Sequence, residues 1–372
     1  MINHERVINN FCKMAEISSE TRDERKMADY LLEKLKNMGL NTVEDTAGAK
    51  IEGNAGNIIG VLKGNKKGKK ILFSAHMDTV KPGKNVKAIR DNGLIHSAGD
   101  TVLGADDKAG IAIILEMIEV VKEQNIQHDD LILAFTVAEE GGLNGAKNID
   151  PEAIKADMGY VLDSDGGSGS IVIKGPAQQQ IEVIIEGKAA HAGIAPEEGI
   201  SAILIASKAI AGMKTGRIDE ETTANIGSIN GGGATNIVPD KVFIKGEARS
   251  LNDNKLRALT QEMKECLELA ANEAGGKCTT EIFDLYPSIS LQEDEDVVII
   301  AIEAAKKIGI TAALKNTGGG SDANIFNGYG IPTANLGIGM QKVHTTEEYI
   351  VEESLSSNSR YLVEIVKQAN EN

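Results

Sequence analysis

Short runs of branched apolar residues, each bounded by glycine or polar sequence, constrain the fold of this chain more than any other feature. NIIGVL (57–62), KILFSA (70–75), LILAFTV (131–137) and MGYVLD (158–163) have the length and the Ile, Leu and Val content of buried strands. A helical pattern runs from about Lys108 to Glu123, between the second and third of them. Such alternation specifies an α/β sheet with helices on its faces. Aromatic residues are only 3% of the chain and Trp is absent, so the core must be built from Ile, Leu, Val and Ala.

After DSDGGSGSIVIKGPA the texture changes. A strand over 178–187 is followed by a helix over 197–213, strands over 223–229 and 241–250, a helix from about Asn252 to Glu273 and a strand over 279–285. The order β-α-β-β-α-β is that of a ferredoxin-like α+β unit. From about Pro287 the α/β texture resumes, with a strand in IPTANLGIG (331–339) and a last helix over 351–369. The expected architecture is a discontinuous α/β domain, residues 1–176 and 287–372, interrupted by a smaller domain over 177–286.

The formal net charge of −16 argues against a sequence-independent grip on nucleic acid or an anionic membrane. No stretch approaches about 18 consecutive apolar residues, and the charged N-terminal helix has no apolar signal core. Cys12, Cys266 and Cys278 are an odd set without a CxxC pair, as expected of reduced thiols. These features fit a cytoplasmic protein.

The chemistry lies at the ends of the strands. His76 closes ILFSAH, Asp106 and Asp107 stand in LGADDKAG before a helix, and Glu139 and Glu140 end LILAFTVAEE. Asp163 ends MGYVLD, and His344 follows the last strand in MQKVHTTEEY. Open α/β sheets place their sites outside the carboxyl ends of the strands, so five elements deliver acid or imidazole to one edge. Carboxylates gathered this closely repel one another unless cations are present. Two histidines with several carboxylates suit Zn²⁺, Mn²⁺ or Co²⁺, and a pair of ions needs a bridging carboxylate.

In SAHMDTV, GADDKAG, AEEGGLNGA, VLDSDG and KVHTTEEY, taken in order, the chain resembles the M20 family of zinc peptidases, and within it the peptidase T group of tripeptide aminopeptidases. The resemblance spans essentially the whole chain. It implies a zinc-peptidase-like catalytic domain with an inserted lid and dimerisation domain, and two divalent ions, Zn²⁺ first with Mn²⁺ or Co²⁺ as alternatives. His76 and Asp163 would hold one ion, Glu140 and His344 the other, and Asp106 would bridge them. A cis peptide between Asp106 and Asp107 is implied as well. Asp78 would orient His76 through its second ring nitrogen, and Glu139 would act as general base.

In the inserted domain the resemblance implies that His191 reaches across a homodimer to the partner's active site. Asn236 and Arg249 would hold substrate, the arginine by its fork on a peptide carboxylate. The loop NTGGGSDANIFN (316–327), with Gly319 and Gly320, supplies backbone for the substrate pocket. The implied reaction is release of the N-terminal residue from short peptides, tripeptides first. The alternative is an amidohydrolase or dipeptidase acting on N-acyl amino acids or dipeptides, with the same metal ligands.

Plainer readings stand beside these. His4 and His128 lie in charged stretches and read as solvated, and His96 as part of a hairpin near the site. Arg249 has a structural ion pair as its ordinary alternative. Neither a Walker A loop, a strand-linked GxGxxG nor HExxH is present.

Overall fold

The strands Ile71–His76 and Leu131–Thr136 are buried at every position, as their unbroken apolar runs require. They pair in parallel, His76 beside Thr136, and Ile71–Ser74 also pairs in parallel with Met158–Val161. Thr333–Gly337 lies parallel to Met158–Ser164 on the far side. Antiparallel strands flank this centre, Ile58–Leu62 on Leu131–Thr136 and Ser170–Gly175 on Thr333–Gly337. The carboxyl ends of the four central parallel strands therefore open on one edge, where His76 and Asp163 stand.

The computed structural model describes residues 1–371, and these divide into two units. The first contains Met1–Lys174, Ser290–Thr317 and 321–371; the second contains Gly175–Ile289 and Gly318–Gly320. In the first unit the helix Ala105–Glu123 packs on the strand Ile71–His76 and against the helices His4–Ala15 and Glu352–Gln368. Beyond Asp106 and Asp107, its buried acid Glu116 is taken by the Arg6 guanidinium at 2.6 and 2.9 Å and by the Asn3 N–H at 2.8 Å. A buried carboxylate needs such partners.

The second unit is a sheet in the order Gly216–Arg217, Thr222–Gly231, Lys241–Ser250, Ala177–Glu186, Lys277–Tyr286. Apart from the two-residue strand, that order and the two intervening helices are ferredoxin-like. Ile181, Val183 and Ile185 alternate inward and meet Ile205, Ala206 and Ala209 of one helix and Leu259, Met263 and Leu267 of the other. The first of those helices begins at Ala202, five residues later than its apolar pattern suggests. Pro196 opens a separate 3₁₀ turn over Pro196–Glu198, and Ser201 caps the true start by accepting from the Leu204 N–H at 3.3 Å.

His128 is buried, not solvated: its Nδ1 bonds the Asp129 carbonyl at 2.6 Å, and its N–H donates to Asn65. Among the described residues no helix is long and apolar enough to cross a membrane.

Candidate metal centre

His76 is 2% exposed at the end of a fully buried strand, so its ring has little freedom. Its Nδ1 lies 2.9 Å from the Asp78 carbonyl and 3.5 Å from Asp78 Oδ1. The main-chain carbonyl is thus the closer partner of the second ring nitrogen. The Asp78 carboxylate is directed chiefly elsewhere, accepting from the Glu139 N–H at 2.9 Å, the Glu140 N–H at 3.3 Å and the Thr21 hydroxyl at 2.8 Å.

The helix that starts at Ala105 is not helical at Asp106 and Asp107, and the peptide bond between these two is cis. Asp106 directs one oxygen to each histidine, Oδ1 to His76 Nε2 at 3.0 Å and Oδ2 to His344 Nε2 at 3.2 Å. Asp107 turns inward, accepting from the His76 N–H and the Gly110 N–H, both at 3.2 Å. His344 sits on a loop at φ 63° with its side chain 51% exposed, and its Nε2 is 2.8 Å from Glu140 Oε1. Asp163 Oδ1 is 4.0 Å from His76 Nε2.

Two sets of potential ligand atoms, His76 with Asp106 and Glu140, and His76 with Asp107 and Asp163, each fall within 4.8 Å of one another. Asp107, read from the sequence only as a neighbour of the ligand, thus joins the second set.

The electrostatics match the crowding. Burial, and then the charge of Asp106, push Asp163 well above the usual carboxylate range, and burial with the charge of Asp163 does the same to Glu139. Burial opposes protonation of His76, but hydrogen bonds to Asp106 and Asp78 outweigh it and raise the imidazole well above its ordinary value. Hydrogen bonds to Asp106 and Glu140 push His344 up to about 10. Burial works against ionisation of Asp106 too, yet the bonds from His344 and His76 hold it below the usual range. The cluster of acids thus favours positive charge at the two imidazoles. Imidazole nitrogens and carboxylate oxygens at these separations fit borderline-hard divalent cations, which supply the same charge with greater density.

Supporting groups escape a reading by motif. Glu24 is fully buried beneath the Glu139 turn and accepts from the N–H groups of Ala138 at 3.0 Å and Arg22 at 2.8 Å, fixing Ala138 at φ 49°. Asp322 is buried at a helix start and accepts from the Thr136 hydroxyl at 2.5 Å. Thr21 and Glu24 stand in a polar stretch between helices with no pattern to single them out. The glycines and Ser321 before Asp322 do announce a helix start.

In the second unit, His191 and Asn236 are exposed on adjacent loops joined by the Ala192 N–H donating to the Asn236 carbonyl at 2.9 Å. The Arg249 guanidinium is engaged by Glu247 on its own strand, at 3.0 and 3.3 Å. Gly320 packs on Tyr286, where any Cβ would lie 2.3 Å from the ring. His96 lies in the strand Leu94–Ser97, half of a hairpin with Ala88–Asp91, and its Nδ1 bonds the Ser97 carbonyl.

Known proteins carry the same arrangement of sequence and fold. Residues 72–368 match the family described as Peptidase family M20/M25/M40. The crystal structure of aminopeptidase PepT from Bacillus cereus ATCC 10987 is 47% identical in sequence, with a TM-score of 0.93 and 99% of each chain covered. That of a tripeptidase from Staphylococcus aureus subsp. aureus Mu50 is 42% identical, with a TM-score of 0.94 and the same coverage. Peptidase T of Fusobacterium nucleatum subsp. nucleatum is 29% identical over 343 residues, which are 90% of this chain and 81% of that protein. With most of its length matched by the family and its fold shared with such enzymes, this chain belongs to peptidase family M20/M25/M40.

Proposed function

We propose that this protein is a two-metal aminopeptidase that removes the N-terminal residue from short peptides, tripeptides in particular. The observation that carries the reading is Asp106, whose two oxygens lie 3.0 and 3.2 Å from His76 and His344 in a cluster that also holds Glu140 and Asp163. One carboxylate facing two histidines is the arrangement that a pair of ions requires. The relatives named aminopeptidase and tripeptidase cover nearly the whole chain and support the substrate class.

In this reading His76 and Asp163 hold one ion, Glu140 and His344 the other, and Asp106 both; Zn²⁺ is the first candidate, then Mn²⁺ or Co²⁺. When bound, the ions polarise the scissile carbonyl and favour attack by water near neutral pH. Glu139, 9% exposed, takes a proton from the attacking water and delivers it to the departing amine. Asp78 holds the Glu139 and Glu140 main chain in place through their N–H groups. Asn236 and the backbone at Gly319 and Gly320 bind substrate. Arg249 receives the peptide carboxylate by exchanging its bonds to Glu247.

His191, exposed and two residues from a glycine, serves the partner's site in a homodimer formed through the inserted unit. Phe243 and Phe283, 48% and 42% exposed on that unit's helix-free sheet face, support an apolar contact there. A cytoplasmic setting, with short peptides as partners, belongs to the same reading.

The test is a hydrolysis panel with protein loaded with Zn²⁺, Mn²⁺ or Co²⁺. Free tripeptides are cleaved; N-blocked tripeptides and N-acetyl amino acids are not. Cleavage of acyl amino acids alone replaces the aminopeptidase reading with an amidohydrolase and leaves the metal centre intact. A monomer in sedimentation removes the role of His191 in trans.

A further inference from the structure

Glu348 stands four residues after His344 and is 1% exposed. A carboxylate so deeply buried must find donors, and this one finds them on a different element. Oε2 accepts from the N–H groups of Leu103 at 2.7 Å and Gly104 at 2.8 Å, and Oε1 accepts from the Asp106 N–H at 3.0 Å. Gly104 is left-handed at φ 77°, which bends the chain so that these three N–H groups converge on one point.

On its own side, the Glu348 N–H donates to the Thr345 carbonyl, closing the His344 loop. Just beyond it, Tyr349–Val351 pairs with Leu94–His96, so the loop is anchored at that end. One side chain thus ties the loop carrying His344 to the turn carrying Asp106, the two groups whose side chains meet at 3.2 Å. The exposed His344 side chain gains from Glu348 a fixed tether that its own surroundings do not supply.

We propose that Glu348 is a positioning residue for the second ion: it sets the separation of the Asp106 and His344 elements and thereby the affinity of the Asp106–Glu140–His344 site. The inference rests on the two-ion reading above. His76 and Asp163 are carried by strands of the sheet, so the first site shares only Asp106 with the elements that Glu348 ties and is the less sensitive to it. Replacing Glu348 by Gln puts an amide N–H₂ against backbone N–H donors, where one carboxylate oxygen is lost as acceptor.

Metal-free protein titrated with Co²⁺, followed by calorimetry and by the visible absorption of the bound ion, reads the two events separately. In Glu348→Gln the second event weakens roughly 10–100-fold, the effect typical of groups that orient metal ligands, while the first stays within about 3-fold. Glu348→Asp keeps the charge and shortens the reach, and weakens the second event by less; it decides the matter if Glu348→Gln does not fold. Equal weakening of both events, or an unchanged second event in the folded variants, overturns the proposal. Uptake of a single Co²⁺ by the unaltered protein sinks the two-ion reading and this inference together. Two events without selective loss in the variants sink the inference alone.

Discussion

The two histidines of the centre occupy opposite extremes of the same site. His76 ends a fully buried strand, paired beside Thr136 on one flank and with its N–H bonded to Asp107. His344 lies on a loop, half exposed, and its ring meets the acids of the centre, Glu140 and Asp106. The sheet therefore places one half of the site whether or not an ion is bound. The other half is placed by a loop and the side chains that tether it. On the two-ion reading proposed above, the rigid half would set where the first ion sits, and the loop half how tightly a second is held.

The largest expected effect falls on neither histidine. Glu139→Gln lowers kcat by about 10²–10⁴-fold, the range for loss of a general base, with two ions still bound by elemental analysis. A fall in metal content alongside the rate would move Glu139 from proton transfer to ligation and blur the division between the halves.

The histidines themselves provide the direct comparison. In chelator-treated protein, His76→Ala removes the buried imidazole from beside Asp78 and Asp107 and leaves Asp106 with His344 alone, and destabilises the fold by about 3 kcal/mol in urea titration. His344→Ala, at an exposed position, changes stability by no more than about 1 kcal/mol. Equal effects would show that the loop is as much part of the folded core as the strand.

Asp78→Asn tests what steadies the rigid half. An asparagine presents N–H₂ toward the Glu139 or Glu140 N–H, so the turn carrying both glutamates shifts. Activity of the loaded enzyme falls about 10–100-fold, with the first-ion affinity less affected because His76 leans on the Asp78 carbonyl. A loss confined to the first ion would restore the view that the carboxylate acts through the ring.

The same contrast explains what a reader of the sequence alone can see. His76, Glu139 and Asp163 announce themselves because apolar runs of strand length stop at them, and period-two geometry aims their side chains over the sheet edge. His344 is visible only through its motif, since nothing in KVHTTEEY has the periodicity of an element. Thr21 and Glu24 are invisible to both, and Glu348 stands inside KVHTTEEY with no role marked by it, because they act by accepting from main-chain N–H groups or by bonding a distant carboxylate. Which N–H is in reach depends on tertiary folding. His128 departs from its solvated reading for the same reason: a polar neighbourhood in sequence becomes, by docking onto Asn65, a buried one in space. Arg249 likewise found its partner two residues away, where a strand places side chains on one face.

Glu24 allows the weakest but most specific test of the rigid half. Burial, and then the negative charge of Asp78, push its carboxyl up to about 7 from an ordinary 4.5. Below about pH 4.5 the group is protonated in both folded and unfolded chains and has no effect on stability. Between 4.5 and 7 the folded chain holds a proton that the unfolded chain has released, so stability falls as pH rises through that window. Above 7 the full penalty is present.

Glu24→Gln removes the titration, and its amide oxygen still accepts from Ala138 and Arg22. The variant is therefore more stable relative to the parent at pH 8 than at pH 4.5, by on the order of 1 kcal/mol once bound cations offset part of the Asp78 charge. The difference in urea midpoints, followed from pH 4.5 to 8, reads it directly. A flat difference means that Glu24 stays ionised under the Glu139 turn throughout. The rigid half of the centre would then rest on a permanent buried anion, and cations bound nearby would be stabilising the fold as well as the chemistry.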